Sequence, residues 1–271
     1  MRRPEPQALW NKTLTDQLWN TRAQARFLRG FGKSERQPDI KGQWEIKSSI
    51  PSKWAISYKS GNCQYHLILK LTSSGHVGVF PEQAPNWDFV CGQVKKLVHQ
   101  GNRKPRVLNL FAYTGSVSLA ALAEGAEVTH LDAVRQMINW TEENREKSQL
   151  PKLLKLVVED VMKFLAREIK RGNKYQGIIL DPPSYGRGPS GEKWILEDQI
   201  NSLISSASKL LDPEIGFFVL NWYSVGLSPY VMVNLVKEYF TPVDPEFGEM
   251  IIRSGTGILL PLGTYLRFSR T

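Results

Sequence analysis

The pattern of apolar and polar positions along the chain changes twice. Within residues 4–30, Leu9, Trp10, Leu14, Leu18 and Trp19 recur at mixed three- and four-residue spacings. That spacing predicts an amphipathic helix with Arg22, Arg26 and Arg29 on or near one face. Phe31 to Gly42 is polar and glycine-bearing and reads as a loop. From Gln43 to Phe80 the chain turns to short aromatic and β-branched stretches separated by Pro51, by Ser60-Gly61-Asn62 and by Ser73-Ser74-Gly75, the pattern of a small antiparallel β module. A helix follows from Asn86 to Gln100 and is broken by Gly101 to Pro105.

From Arg106 onward, short apolar runs alternate with helical stretches. RVLNLF leads into a helix near Ser116–Glu124, EVTHLD into one from Val134 to about Ser148, LLKLVVED into one ending near Arg171, and GIILD follows. Strands separated by helices make a parallel sheet with right-handed crossovers. The remainder gives a helix near Lys193–Leu211, the strand GFFVLN, a helix from Pro229 to Phe240, and the runs GEMIIRS and GILLPLGTYLRFS. The last two lie too close together for a helical crossover and must form an antiparallel hairpin. The expected architecture is α/β, a mostly parallel seven-stranded sheet with one reversed strand, preceded by a small α+β module over residues 1–75, with the main domain at 76–271.

Composition narrows the classes. With 271 residues and 41% hydrophobic content, the chain can bury a sizeable core. It holds no apolar run of membrane-spanning length, and the opening MRRPEPQALWNK lacks the apolar stretch of a secretory signal, so a soluble, cytoplasmic protein with no membrane partner is expected. Its two cysteines, Cys63 and Cys91, form no CxxC pair and no zinc-like spacing with histidine, so buried thiols are expected, with neither a disulfide framework nor a metal. The net charge of +9 is unevenly placed. Residues 1–60 carry 12 Lys+Arg against 5 Asp+Glu, residues 61–105 carry 5 against 2, and residues 106–271 carry 18 against 19. A basic segment ahead of a near-neutral domain suggests a polyanionic partner met by the first 105 residues.

In an open α/β sheet, ligands bind at the carboxyl ends of the strands, so the residues there carry the chemistry. The first strand is followed by Phe111-Ala112-Tyr113-Thr114-Gly115, a loop with one glycine. It lacks the G-x-G-x-x-G pattern, which disfavours nicotinamide and flavin dinucleotides. Asp132 ends the second strand, where a carboxylate can accept hydrogen bonds from ribose hydroxyls. Glu159 and Asp160 end the third, placed for an adenine amino group. Asp181-Pro182-Pro183-Ser184-Tyr185 ends the fourth, with rigid prolines beside a carboxylate and an aromatic ring.

The series N-L-F-A-Y-T-G, Asp132, Glu159-Asp160 and D-P-P-S-Y resembles the class I S-adenosylmethionine-dependent methyltransferases, with a Rossmann-like fold. More narrowly, with the upstream Gly78-Val79-Phe80-Pro81-Glu82-Gln83, it resembles the group of bacterial large-subunit ribosomal RNA cytosine-5 and guanine-N7 methyltransferases. The likeness covers residues 76–271. It implies that Phe111, Ala112, Tyr113, Thr114 and Gly115 wall the methionine part of S-adenosylmethionine, and that Asp132 holds the ribose. It further implies Asp160 at the adenine edge, Gln83 near the methionine end and Asp181 where cofactor meets substrate.

One departure from that group is chemical. Cytosine C5 becomes nucleophilic only after a thiolate adds to the ring. Where the relatives carry that thiol, after the fifth strand, this chain has Leu220-Asn221-Trp222-Tyr223-Ser224. The expected acceptor is therefore a heteroatom with its own lone pair, a ring or exocyclic base nitrogen or a hydroxyl, with a base nitrogen of ribosomal RNA the favoured one. Asp181 and Tyr185 are the candidate catalytic residues, and Pro182, Pro183, Arg187 and Trp222 the candidate substrate contacts, with Tyr185 or Trp222 stacking on an extruded base. The insert from Gly186 to Lys193 reads as a mobile basic lid. A small-molecule or protein methyltransferase, or an RNA-binding factor that retains the cofactor without catalysis, shares these features.

Overall fold

The computed structural model describes residues 10, 11, 14–28, 42–101, 104–223 and 226–270. The chain divides into two compact units, Met1–Ile56 with Ile68–Val79, and Ser57–Leu67 with Phe80–Thr271. A single cut after residue 75 therefore does not describe it: Ser57–Leu67 groups with the larger unit.

The smaller unit begins with α1 (Asp16–Arg22), capped where the Thr15 side chain accepts from the Leu18 amide. Among the described residues of the helix expected over 4–30, only these seven are helical, and Leu18 and Trp19 are exposed. Ala23 turns extended, and β1 (Ala25–Leu28) pairs antiparallel with β2 (Gln43–Ile46), so pairing with a distant strand overrides helical spacing. Arg26 sits on β1, in an ion pair with Glu45. Phe27 and Trp44 pack with ring centroids 5.1 Å apart, and the Trp44 indole N–H donates to the Thr72 carbonyl. Leu9 and Arg29, also assigned to that helix, lie outside the described residues.

β3 (Trp54–Ser60) and β4 (Cys63–Leu69) form a hairpin. In the larger unit, Cys63, Tyr65 and Leu67 alternate inward along β4, as a strand with one buried face requires. A short 3-10 turn (Pro81–Gln83) leads into α2 (Ala84–His99). Cys91 of α2 is joined to Cys63 as a disulfide, with Cα atoms 6.6 Å apart, where two separate buried thiols were expected. The inward faces of β4 and α2 bring the two sulfurs together, a juxtaposition that no local spacing announces.

The main sheet is built from β5 (Arg106–Leu110), β6 (Glu127–Asp132), β7 (Leu154–Val158), β8 (Gly177–Leu180), β11 (Gly216–Trp222), β12 (Glu246–Arg253) and β13 (Leu259–Arg270). β9 (Tyr185–Arg187) and β10 (Lys193–Ile195) form a separate antiparallel hairpin. The connecting helices are α3 (Ser116–Ala123), α4 (Arg135–Lys147), α5 (Val161–Lys170), α6 (Leu196–Ser208) and α7 (Pro229–Tyr239). Strand order is β12-β13-β11-β8-β5-β6-β7, and β13 alone runs against its neighbours, as the alternation of runs predicted. Every residue of β8 and β11 is buried, which is why these strands read as unbroken apolar runs.

The two faces of the central strands diverge. Leu108, Leu110, Ile178, Leu180, Phe218, Leu220 and Trp222 join the hydrophobic core, whereas Asn109, Ile179, Asp181, Val219 and Asn221 line a cavity. Strand alternation thus converts one register into a packed side and a working side.

Candidate cofactor and acceptor site

The loop between β5 and α3 is the first wall of the cavity. Phe111 and Tyr113 adopt left-handed backbone angles, φ 57° and 50°, and Gly115 follows at 89°. Non-glycine residues in this region carry strain that the surroundings must hold. Here the Ala112 amide donates to Leu131 O, and the Tyr113 amide donates to Asp132 Oδ2 at 2.9 Å. The Thr141 hydroxyl donates to Tyr113 O at 3.1 Å, and the Asn144 side chain to Thr114 O at 2.9 Å. Beneath the loop, His130 is fully buried between two hydroxyls, with Ser118 Oγ 3.0 Å from Nδ1 and Thr141 Oγ1 3.2 Å from Nε2. Burial pushes its pKa down to about 3, so it is a neutral strut.

Gly115 is fixed by space as well as by angle. A Cβ there would lie 2.5 Å from Thr141 Cγ2. Ser116 and Val117, in the first turn of α3, also line the cavity, which leaves first-turn amides available to a carboxylate.

The opposite wall is a network that sequence reasoning largely missed. Gln83 Nε2 donates to Asp181 Oδ2 at 3.2 Å and to the Tyr223 hydroxyl at 2.9 Å. Its Oε1 accepts from Asn86 and Asn221, at 3.2 and 3.1 Å, and Asn86 also donates to Asn221 Oδ1 at 2.9 Å. Every hydrogen-bonding position of the Gln83 amide is filled, which fixes its orientation. Tyr223 bonds in turn to the buried carboxylate of Glu82. Asp181 Oδ1 is shielded and has no partner, and burial together with the Glu82 charge pushes the Asp181 pKa up to about 7. The visible signal for Asn109 and Asn221 was a lone asparagine inside an otherwise apolar strand.

Other expected site residues fall out differently. Asp132 ends β6 with its carboxylate bonded to the Tyr113 and Val134 amides, and burial raises its pKa. Asp160 caps α5 through the Lys163 amide, and Glu159 pairs with Arg167 at 2.5 and 2.6 Å. Both sit at the end of β7, and neither lines the cavity. Trp222 has no exposed surface and packs in the core, so it cannot stack on a base, because its strand position faces away from Asn221. Tyr223, one residue on, faces the site, and Ser224 lies outside the described residues. Tyr185 is 55% exposed on β9, with Arg187 exposed beside it. The segment expected as a mobile lid is the β9–β10 hairpin, closed by the Gly188 amide donating to Glu192 O and by the ion pair of Lys163 with Glu192. Trp194 in that hairpin packs on Phe111 and donates to Pro183 O at 2.7 Å, which pins the Asp181-Pro182-Pro183 loop.

Residues 77–222 match the S-adenosylmethionine-dependent methyltransferase family. The chain belongs to that family. A crystal structure of an S-adenosylmethionine-dependent methyltransferase from Agrobacterium tumefaciens superposes with a TM-score of 0.85 and 33% identity, covering 99% of this chain and 83% of that one. The ribosomal RNA large subunit methyltransferase K/L of Pseudoalteromonas atlantica is 34% identical over 121 residues, 44% of this chain and 17% of the relative. The ribosomal RNA large subunit methyltransferase K of Neisseria meningitidis is 28% identical over 153 residues, 55% of this chain and 42% of the relative. The chain therefore spans less than half the length of these curated relatives.

For this member of the family the residues present fit S-adenosylmethionine. Glycine at position 115 admits close approach, aromatic rings stand at Phe80, Phe111 and Tyr113, and Asp181, which lines the cavity, has one buried carboxylate oxygen without a partner. Among the described residues no helix is long and apolar enough to cross a membrane. One group of metal-ligating side chains, Cys63, Cys91 and Glu124, lies within 4.8 Å, with its two sulfurs bonded to each other.

Proposed function

We propose that the protein transfers a methyl group from S-adenosylmethionine to a base nitrogen of RNA, with ribosomal RNA the favoured substrate. The carrying observation is the orphan Oδ1 of Asp181, a buried acceptor held beside the cavity by Gln83. S-adenosylmethionine supplies an electrophilic methyl group on a positively charged sulfur. Asp181 accepts a hydrogen bond from the target amine or ring N–H and turns the nitrogen lone pair toward that carbon. Pro182 and Pro183, tied down through Trp194, fix the approach, and exposed Tyr185 offers a stacking face for the extruded base. Arg187 and the basic N-terminal segment, Arg22 and Arg26 included, contact phosphates. Phe111 to Gly115 wall the methionine part, Asp132 meets the ribose, and Asp160 meets adenine through the carboxylate oxygen that its cap leaves over.

The cysteines support an acceptor with its own lone pair over cytosine C5, because both are paired and neither lines the cavity. The K and K/L relatives are named for large-subunit ribosomal RNA, which supports the substrate class. The test is transfer of labelled methyl to RNA from cells lacking the protein, followed by nucleoside analysis. An N-methylated nucleoside that disappears with Asp181→Ala is expected; labelled 5-methylcytidine would refute the acceptor assignment. RNA affinity retained in Asp181→Ala separates a catalytic loss from a binding loss.

A further inference from the structure

Asp181 lines the cavity, and Glu82 is buried behind it, joined to it by a chain of hydrogen bonds through Gln83 and Tyr223 that contains no cation. Glu82 is 5% exposed and comes from the Pro81–Gln83 turn, whereas Asp181 follows β8. Among the described residues neither forms an ion pair: both answer only to neutral donors, Asp181 to the Gln83 amide and Glu82 to the Tyr223 hydroxyl. The titratable groups facing the pair are Tyr223 at the end of β11, a phenol whose pKa burial and the Asp181 and Glu82 charges push up, and Tyr113 in the loop after β5, which lines the same cavity as Asp181. The cation linked to this network is Arg267 on β13, and its guanidinium is engaged by Glu246, Pro85 O and Asn86 Oδ1. Buried carboxylates kept without a counter-charge favour protonation, or a cationic ligand that restores their charge.

We propose that Glu82 and Asp181 form an anionic seat matched to the positive sulfur of S-adenosylmethionine, which lets the site hold the methyl donor and release the neutral-sulfur product, S-adenosylhomocysteine. Transfer breaks the S–CH3 bond, whose electron pair stays on sulfur, and forms an N–CH3 bond from the nitrogen lone pair; the positive charge passes to nitrogen and is discharged as its proton leaves to the Asp181 carboxylate and on to water, so the sulfur is neutral and the seat loses its counter-ion. Glu82 acts through this charge, as a specificity-determining residue. The inference rests on Asp181 standing at the methyl-donor end, as the proposed function requires.

The two ligands share the same amino-acid end and the same adenosine, so any difference between them reports the sulfur alone. The seat must shed a proton to receive the cation, because burial and mutual repulsion hold Asp181 near pH 7 in the empty site. Calorimetric binding without RNA, in phosphate and in Tris at pH 6, 7 and 8, reads this directly from the buffer dependence of the heat. For the donor, release of about half a proton at pH 7 is expected, with affinity rising about tenfold from pH 6 to 8. For S-adenosylhomocysteine no release and a flat profile are expected. Glu82→Gln keeps an acceptor for Tyr223 and removes one charge, so the difference between donor and product should collapse, whereas Glu82→Asp should retain it. Equal proton release with both ligands would place the pair at the shared amino-acid end and overturn the proposal, as would no release with either. If Glu82→Gln fails to fold, the wild-type pair of titrations still decides. Failure to methylate RNA would leave these binding results standing, so the two readings fail separately.

Discussion

His130 offers a sharp test of how the loop between β5 and α3 is supported. Its folded pKa of about 3 lies below the ordinary 6.5, so the folded state excludes a proton that the unfolded chain accepts. The sign follows: the contribution is complete above pH 6.5 and is lost progressively as pH falls toward 3. At pH 5 the unfolded imidazole lies 1.5 pH units below its ordinary 6.5, which at roughly 1.36 kcal/mol per unit amounts to about 2 kcal/mol of lost stability. Asp181 acts in the opposite direction. Its raised pKa means that the folded state takes up a proton as pH falls through 7, which restores stability over the same interval. The wild-type curve is thus a sum of opposed slopes, and comparison with a variant separates them. In denaturant melts of ligand-free protein, the stability gap between wild type and His130→Asn should narrow by about 2 kcal/mol from pH 7 to pH 5. Asp181→Asn should show the reverse, gaining over wild type at pH 7 and losing more than half of that gain by pH 5, where the unfolded carboxyl at its ordinary 3.8 is still ionised. A gap for His130→Asn that stays constant across this range would mean that the imidazole is not held neutral between Ser118 and Thr141, and the account of the loop would fall.

Three further substitutions probe the site. Gly115→Ala places a Cβ against Thr141 in a left-handed conformation costing about 1–2 kcal/mol before any clash, and titration calorimetry should show donor affinity down at least about tenfold with the fold intact by circular dichroism. Wild-type affinity in that variant would disprove the close approach. Trp194→Phe removes the donor to Pro183 O and should lower stability by about 1 kcal/mol and turnover with it, leaving donor affinity unchanged; unchanged turnover would free the proline loop from that tether. Tyr185→Ala, at an exposed position, should shift stability by less than about 0.5 kcal/mol yet raise the KM for RNA several-fold, because base stacking is worth about 1–3 kcal/mol. An unchanged KM would place the base elsewhere.

The sheet was legible because strands buried on both faces leave apolar runs that no helix periodicity explains, as in GIIL and GFFVLN. The two cavity loops were legible because Phe111 to Gly115 and Asp181 to Tyr185 are each contiguous in sequence. Trp222 was misjudged for want of register: Phe218, Leu220 and Trp222 share the core face, so the aromatic turned toward the site had to be Tyr223. The second wall was illegible because its contacts are long-range. Gln83 and Asn221 are 138 residues apart, and only the folded sheet sets them side by side. The N-terminal helix failed for the same reason in reverse, since β1 draws its stability from a partner strand that local spacing does not reveal.

Comparison of the buried polar groups separates scaffold from site. His130, Asn144 and Thr141 are all buried and all hydrogen-bonded, and each braces the strained loop from below. Against that standard, an orphaned buried atom stands out, because leaving a donor or acceptor unmet costs about 1–3 kcal/mol. Among the described residues five side-chain atoms are so placed, on Tyr65, Asn109, Asp181, Trp222 and Thr264. Two of them, Asn109 and Asp181, line the cavity, and only Asp181 carries an acid whose charge a ligand could restore. A fold that fills every position on the Gln83 amide and then aims that amide at a half-satisfied carboxylate leaves its one unmet acid where the proposed transfer needs an acceptor. Refilling it from within the protein, for example by a nearby donor introduced at Ile179, should therefore stabilise the fold and weaken catalysis together, the opposite of what repairing a packing defect would do.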